Sequence, residues 1–381
     1  LSPGQFIRVN DLKMLNDRAG WGFEFGRDLL RTLDGGQTWR EVTPPQTVSA
    51  PMGFFAFDPN FAWTAIPTDG GISFWHTTDG GAHWAADQGV ELSQLETGSC
   101  GTLTMGMTSI RQLYFTDSRR GWLVATTQAQ EHGYIVSLLF ATQNGGQTWA
   151  LRSLSTRECG TGEMPDGLNT VFFKTPERGW GGFFPVRWSY FPYNQQRHVG
   201  GWDLYQTTDG GIHWQAIPLP APPGFLELVQ RSENEPYNAA CGLQQIIQLA
   251  PEIFKLNVSC FLYATASDEQ QYVYLTTTGG QSWQVWPATG NEEFFADVYA
   301  GDRLTGWRLE RSPGPALNNL QISTDAGQTW TTFKKVAWEY ARFDFVSEQE
   351  GWAIVTSDQD ALVHTRDGGQ TWEILHPVIG K

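Results

Sequence analysis

Arg31-Thr-Leu-Asp-Gly-Gly-Gln-Thr-Trp39 is the stretch whose reading decides the fold. An Asp followed by two glycines is a turn signal, because the carboxylate accepts hydrogen bonds from turn amides and Gly takes a positive φ at little cost. Apolar and β-branched residues on both sides supply the arms of a hairpin. The Trp opens the returning strand with a large ring to pack against a neighbour.

The unit recurs along the chain, with the Asp position at Asp34, Asp79, Asn144, Asp209, Thr278, Asp325 and Asp367. Two residues on there is always Gly, from Gly36 to Gly369. Three further on there is always Trp: Trp39, Trp84, Trp149, Trp214, Trp283, Trp330 and Trp372. Thr or Ser stands two residues before every centre. A second mark precedes each unit. Gly20-Trp21, Gly121-Trp122, Gly179-Trp180, Gly306-Trp307 and Gly351-Trp352 each open a β-like run; Ala62-Trp63 fills that slot in the second repeat and Cys260-Phe261 in the fifth. Another alternating apolar stretch lies before each mark, as in Phe343-Asp-Phe-Val346. Each repeat therefore reads as four strands, A to D, with the turn unit between C and D.

Four-stranded sheets repeated around an axis make a propeller, which leaves only short protected edges. Seven repeats of about 45 residues favour ring closure over a linear solenoid. The fold class is all-β: one seven-bladed β-propeller of four-stranded antiparallel blades. A single domain over 1–381 is expected, with blades near 7–42, 52–87, 108–152, 168–217, 243–286, 293–333 and 341–376. The Gln5–Val9 run is left to pair with an end blade.

Insertions point to one face. Successive centres lie 45, 65, 65, 69, 47 and 42 residues apart, by subtraction of the positions above. The excess falls in D–A connections at Asp87–Met107, Ser153–Gly167 and Pro218–Leu243. It also falls in B–C connections at Phe184–Gly201, Thr127–Gly133 and Arg311–Asn318. In a four-stranded blade both kinds of connection emerge on the face opposite the C–D turns. Loops on a rigid scaffold carry function, so that face is the expected site of any partner.

Composition narrows the function classes. A chain with 40% hydrophobic, 14% aromatic and 17% charged residues is folded rather than disordered. The net charge of −15 opposes sequence-independent nucleic-acid binding, which needs a basic footprint. No apolar run approaches the roughly 18 residues of a membrane helix. The chain opens at Leu1 with no signal-like segment, which reads as a processed or trimmed form. Four cysteines, with no Cys-x-x-Cys unit, disfavour zinc; no metal and no cofactor are expected. Two disulfides are favoured over four buried thiols, which places the chain in an extracytoplasmic compartment: secreted, periplasmic, lumenal or cell-surface. Cys100 and Cys159 lie in successive D–A loops, and Cys241 and Cys260 flank the first strand of the fifth repeat; Cys100–Cys159 and Cys241–Cys260 is the economical pairing.

The seven acidic turns invite a catalytic or calcium reading. Asn144 and Thr278 argue against it, since a ligand or general acid does not survive replacement by Thr whereas a turn does. His83 and His213 occupy the Thr slot before the turn's Trp and share that structural account. The insertion Pro185–Trp202 is richer in recognition chemistry. Its Arg187, Trp188, Tyr190, Tyr193, Arg197, His198 and Trp202 are types enriched at binding hot spots, and they also stack on sugars; a loop packed by its own aromatics is the plain alternative. Asn257-Val-Ser259 has the form of a glycosylation sequon.

The turn unit is identified as the Asp-box, or BNR repeat. Among such propellers, Arg120-Gly-Trp122 with Asn144-Gly-Gly-Gln-Thr-Trp149, and Glu350-Gly-Trp352 with Thr365–Trp372, resemble the photosystem II assembly and stability factor family and its bacterial relatives. That resemblance implies a non-catalytic, extracytoplasmic propeller that binds membrane-protein subunits. Sialidases and xyloglucan-degrading enzymes also use Asp-box propellers. A sialidase element is absent here, because Phe6-Ile-Arg-Val9 is followed by Asn, and no Glu–Tyr–Arg set can be assigned. A glycosidase needs two carboxyl groups across a cleft. Catalytic residues: none. The expectation is a binding scaffold or assembly factor engaging a protein partner, such as a membrane-protein or cell-surface assembly, through the inserted face. A glycan-binding or glycoside-hydrolysing propeller is the alternative.

Overall fold

The computed structural model describes residues 2–24, 28–45, 53–95, 103–129, 135–155, 167–183, 204–217, 219–220, 222–224, 239–250, 252–262, 270–288, 298–300, 304–312, 317–357 and 359–380. These form seven antiparallel sheets in a propeller ring, each with strands ordered A-B-C-D. Blade 1 comprises Asp11–Met14, Gly20–Glu24, Asp28–Thr32 and Thr38–Glu41; blade 2 comprises Gly53–Ala56, Ala62–Pro67, Gly71–Thr77 and Ala85–Ala86. Blade 3 has Leu103–Phe115, Gly121–Ala129, Ile135–Thr142 and Ala150–Ser155; blade 4 has Leu168–Phe173, Gly179–Phe183, Leu204–Thr207 and Gln215–Ala216. Blade 5 uses Ala239–Ala250, Ile253–Leu262, Gln270–Thr276 and Gln284–Pro287; blade 6 uses Val298–Ala300, Thr305–Glu310, Asn318–Ser323 and Thr331–Val336. Blade 7 closes the series with Tyr340–Phe345, Gly351–Thr356, Asp360–Thr365 and Glu373–Leu375.

Burial follows the order of strands. Strand B is buried on both faces along nearly its whole length in blades 2, 6 and 7, as a strand packed between two neighbouring blades is; in blade 6 it carries Arg308 among its apolar residues. Strand D is short and exposed in blades 2 and 4. Between blades, the Trp of strand B stacks on the last Phe of the next strand A: Trp63 on Phe115 at 4.0 Å, Trp122 on Phe173 at 3.8 Å, and Trp307 on Phe345 at 3.7 Å. Aromatic pairs of this kind add roughly 0.5–1.5 kcal/mol each beyond the area they bury.

The Asp-box holds the frame twice over. Its first amide donates to the A–B turn of its own blade, as in Gly35 N to Arg18 O at 2.8 Å and Gly368 N to Gln349 O at 2.9 Å. In four boxes the carbonyl of the first glycine also accepts the strand-B indole of the preceding blade: Trp352 to Gly35, Trp63 to Gly145, Trp180 to Gly279 and Trp307 to Gly368, at 2.7–2.9 Å. Gly35 and Gly36 carry φ of 76° and 93°, which explains the paired glycines; in the sixth box Ala326 adopts 59° in the place of the first.

The ends of the chain meet at the seam between blades 7 and 1. Val378–Ile379 joins strand D of blade 1 as a parallel fifth strand, and Phe6 bridges Val378. The Gln5–Val9 run therefore pairs with the C-terminal strand. Ile7, Val9 and Ile379 bury their side chains in the seam's core beside Trp39 and Trp352.

Three sequence expectations change. In blade 5 the register places Lys255 opposite Leu275, the counterpart of Trp352 opposite His364, so Lys255 and not Phe261 fills the Trp slot. The Cys260-Phe261 reading failed because this blade's strand B continues past the height of its neighbours. Cys241 and Cys260 do not flank strand A; they stand directly opposite each other across strands A and B. Finally, residues assigned to connections at 103–107, 127–129 and 239–243 are strand, and Val90–Glu91 folds back onto strand C of blade 2.

Candidate functional site

The acidic turns concentrate carboxylates on one face of the ring. In the first box, Asp34 Oδ1 accepts the amides of Gln37 and Thr38 at 3.1 and 2.9 Å and the Thr32 hydroxyl at 2.9 Å. Its Oδ2 accepts the Thr38 hydroxyl at 2.7 Å, while Thr32 Oγ1 accepts the Gly36 amide at 3.0 Å. Asp325 and Asp367 repeat the pattern with Thr329 and Thr371. Asp79 and Asp209 make it with the amide and Nδ1 of His83 and His213.

The two substituted boxes keep the same geometry with other atoms. Asn144 Oδ1 accepts the Thr148 amide at 3.0 Å and its Nδ2 donates to the Thr148 hydroxyl at 2.9 Å. Thr278 Oγ1 accepts the Ser282 amide at 3.0 Å. The carboxylates are spent on their own turns. Hydrogen bonds from His83 hold the Asp79 carboxyl down at about 2. At Asp209 burial pushes upward, but the bonds from His213 outweigh it and leave the carboxyl at about 2. Carboxyls so firmly ionised are poor general acids at neutral pH. Among the described residues no group of three or more His, Cys, Asp or Glu converges.

The opposite face is where the blades differ. Beyond the Trp slot, strand B runs to Glu24, Pro67, Phe183, Glu310 and Thr356 in blades 1, 2, 4, 6 and 7. In blades 3 and 5 it runs from Trp122 to Ala129 and from Lys255 to Leu262, with strand A alongside. Three or four extra residues at about 3.3 Å each raise these two hairpins about 10 Å above the ring. Between them, the 184–203 insertion leaves the end of strand B of blade 4 and rejoins at strand C. Its Arg187, Trp188, Tyr190, Tyr193, Arg197, His198 and Trp202 lie outside the described residues, as do Cys100 and Cys159. At the seam, a groove of 230 Å³ lies between the N-terminal run and blade 7, flanked by the exposed Phe6 and Ile374 and by Arg8, 3.9 Å from Asp360.

Several polar residues were not singled out by the sequence. Lys255 and Arg308 are buried at the blade 5–6 junction, both over the Trp330 ring, at 5.9 and 4.3 Å. Arg308 Nε donates to Gln321 Oε1 at 2.7 Å, and Gln321 Nε2 donates to Glu310 Oε2 at 2.9 Å. Lys13 Nζ reaches Asp344 at 2.6 Å and Arg342 reaches Asp11 at 3.1 Å, tying blade 1 to blade 7. His76 Nδ1 meets both Asp87 oxygens at 2.8–2.9 Å. A lone Lys inside the apolar run Ile253-Phe-Lys-Leu256 was the one visible signal among these. The sequon Asn257-Val-Ser259 lies within strand B, with Ser259 buried, so the folded blade does not present it.

The family model for the BNR/Asp-box repeat matches residues 321–332, the sixth box and its flanking strand ends. The chain is a seven-bladed Asp-box propeller. The chain has a partial relative in a probable oligoxyloglucan-reducing end-specific xyloglucanase of Neosartorya fischeri. That enzyme is 28% identical over 154 residues, a match spanning 33% of this chain and 18% of that protein. The structure of YCF48 bound to D1 peptide is similar to this propeller at a TM-score of 0.52 and 15% identity, covering 96% of this chain and 95% of that one. A prolyl endopeptidase structure aligns at 0.54 and 8% identity, over 97% of this chain and 49% of that one. At these identities the likeness to solved structures speaks for the propeller fold alone. Among the described residues no helix is long and apolar enough to cross a membrane.

Proposed function

We propose that this propeller is a non-catalytic, extracytoplasmic scaffold that engages a protein partner through the face opposite its Asp-boxes. The observation that carries the reading is the division of labour between faces. Box side chains are consumed by their own turns, whereas the two tall hairpins rise on the other side, from which the described strand ends flanking 184–203 also depart. Cys241 opposite Cys260 supports the compartment: cross-strand neighbours sit about 4.5–5.5 Å apart at Cα, within the span a disulfide takes. No free thiol stands among the described residues. A Cys100–Cys159 crosslink belongs to the same proposal. Intact mass should rise by the hydrogens of two disulfides on reduction; no change would remove the argument for an oxidising compartment.

A photo-crosslinking residue placed at Trp188 or Ile135, on the inserted face, should capture one protein species, and the same residue at Leu33 in the first box should capture none. Arg187→Ala with Trp188→Ala and Tyr193→Ala should abolish that capture without altering the circular dichroism. Equal capture from both faces would refute the reading. The 28% match to a xyloglucanase favours a second reading, in which this face binds or cleaves a glycan. A carbohydrate array with a hydrolysis assay decides between them, since a defined glycan ligand or any turnover belongs to the second alone.

A further inference from the structure

We propose that the inner edge of strand A in blade 5, Ala239–Ala250, receives an extended segment of a partner protein by β-strand addition. The inference rests on the reading that this face binds protein. Among the described residues strand A of blade 5 pairs with strand B alone, so its other edge borders the channel and, at its upper end, rises above the ring with the tall hairpin. The ladder from Ala239 opposite Leu262 to Leu243 opposite Val258 is unbroken over five successive pairs. An unpaired edge of that kind is a row of donors and acceptors at strand spacing, a template that only another extended backbone matches.

Natural edges are blunted by charge, proline or bulges. The sequence Ala-Ala-Cys-Gly-Leu-Gln-Gln-Ile-Ile-Gln-Leu-Ala over 239–250 contains no charged residue and no proline. Three of the other inner strands are guarded. Blade 1 carries Asp11 and Lys13 and blade 7 carries Arg342 and Asp344, all committed to ion pairs across the seam. Strand A of blade 3 is as tall, yet its register breaks between Thr104 and Ser109 and again between Ile110 and Gln112, and it carries Arg111. Strands A of blades 2, 4 and 6 are also free of charge and proline, but as described they span only Gly53–Ala56, Leu168–Phe173 and Val298–Ala300. Strand A of blade 5 is itself irregular between Leu243 and Gln245 and between Gln248 and Ala250, so the long uncharged edge on offer is its upper run, Ala239–Leu243.

Charge selects the occupant. Two copies of a chain carrying −15 repel each other, so a second copy is disfavoured, and an extended segment with basic flanks is drawn in. Main-chain hydrogen bonds would supply affinity, and the uncharged edge sets no demand for charged side chains within the paired stretch.

The test uses the whole chain and a synthetic twelve-residue probe of alternating threonine and valine with two lysines at each end. Binding should slow amide exchange over 239–247 by roughly tenfold or more and leave the other inner strands unchanged. The same peptide N-methylated throughout its core should not bind, because its donors are gone. Ala240→Lys with Gly242→Lys should weaken the unmodified probe by roughly tenfold, about 1.4 kcal/mol. Equal binding of the N-methylated peptide, protection elsewhere in the ring, or no binding at all would overturn the proposal. If the double-lysine variant still captures its protein through a crosslinker at Trp188, the edge is wrong and the binding face stands.

Discussion

Between blades 3 and 4 the Trp122 ring lies 3.8 Å from Phe173 at 4°, Tyr114 meets Phe172 edge-on at 6.3 Å, and Gln112 Oε1 accepts the Val171 amide at 2.7 Å. Between blades 7 and 1 the equivalent positions hold charge. Asp344 stands where Tyr114 does and Lys13 where Phe172 does, and Met14 replaces Phe173. Asp344 is buried, accepting both Lys13 Nζ and the Met14 amide. The junction between blades 3 and 4 is apolar and stacked. The junction that brings the two ends of the chain together is ionic at its inner edge and strapped by Val378–Ile379 at its outer edge. Aromatic packing is strong but indifferent to which blades meet, since blades 2, 3, 4, 6 and 7 offer similar stacked rings. Lys174 and Arg178 also pair with Glu252 between blades 4 and 5, but at the A–B turns; at the seam the pairs join the inner strands themselves, so the closing contact has a specific partner.

That contrast can be broken at either end. Trp122→Ala removes a buried ring and leaves a cavity against Phe173; a loss of about 3–5 kcal/mol is expected, independent of salt. Urea unfolding at low and high ionic strength measures it, and a loss below about 1 kcal/mol would show that the stacked rings contribute little. Asp344→Ala strands Lys13 and the Met14 amide, and about 1.5–3 kcal/mol is expected from hydrogen bonds to a charged group. Lys13 is largely exposed, so part of this loss should disappear in 1 M salt, unlike the Trp122 effect. If both variants respond to salt alike, the two junctions do not differ in kind.

A smaller effect is expected within the boxes. Asp34→Ala deletes the acceptor for the Gln37 and Thr38 amides, at about 1–2 kcal/mol, the scale of a lost helix cap. Asp34→Asn should cost under about 0.5 kcal/mol, because Asn144 already makes the same bonds in the third box. A large loss for Asn would mean that the charge itself holds the turn.

The same distinction explains what could be read from the sequence. The boxes were legible because their geometry is local: Thr32, Asp34, Gly36, Thr38 and Trp39 interact within a few residues, so spacing alone reveals them. The blade count and the sides of the ring followed from that. The ionic seam was not legible, since Lys13 and Asp344 lie at opposite ends of the chain and neither differs from a surface charge in sequence. Lys255 was missed for another reason. It occupies a slot defined by register against Leu275, and the elongated hairpin moved the apparent strand start toward Cys260-Phe261. The aromatic and basic residues of 184–203 were found by composition, which names recognition chemistry without placing it.

The weakest expected effect separates the boxes from the junctions by pH. Asp79 and Asp209 sit at about 2 when folded, below the roughly 3.9 of a free Asp, so their contribution is present above that value and is lost as pH falls toward 2. His76 has the opposite sign. The hydrogen bond to Asp87 raises its folded value, so its contribution is full below the unfolded pKa of about 6.5 and fades as pH rises through the folded one. Urea midpoints from pH 2 to 8 should therefore show an acid limb that flattens in Asp79→Asn with Asp209→Asn. They should also show a shallow neutral limb that vanishes in His76→Gln. Both Asp residues are substantially exposed, so the acid limb is a small, screened effect. An acid limb unchanged in the double Asn variant would move its origin to the remaining boxes: burial pushes Asp34 and Asp325 upward but their turn hydrogen bonds outweigh it, and hydrogen bonds from Thr371 lower Asp367, so Asp34→Asn, Asp325→Asn and Asp367→Asn together would then have to flatten it.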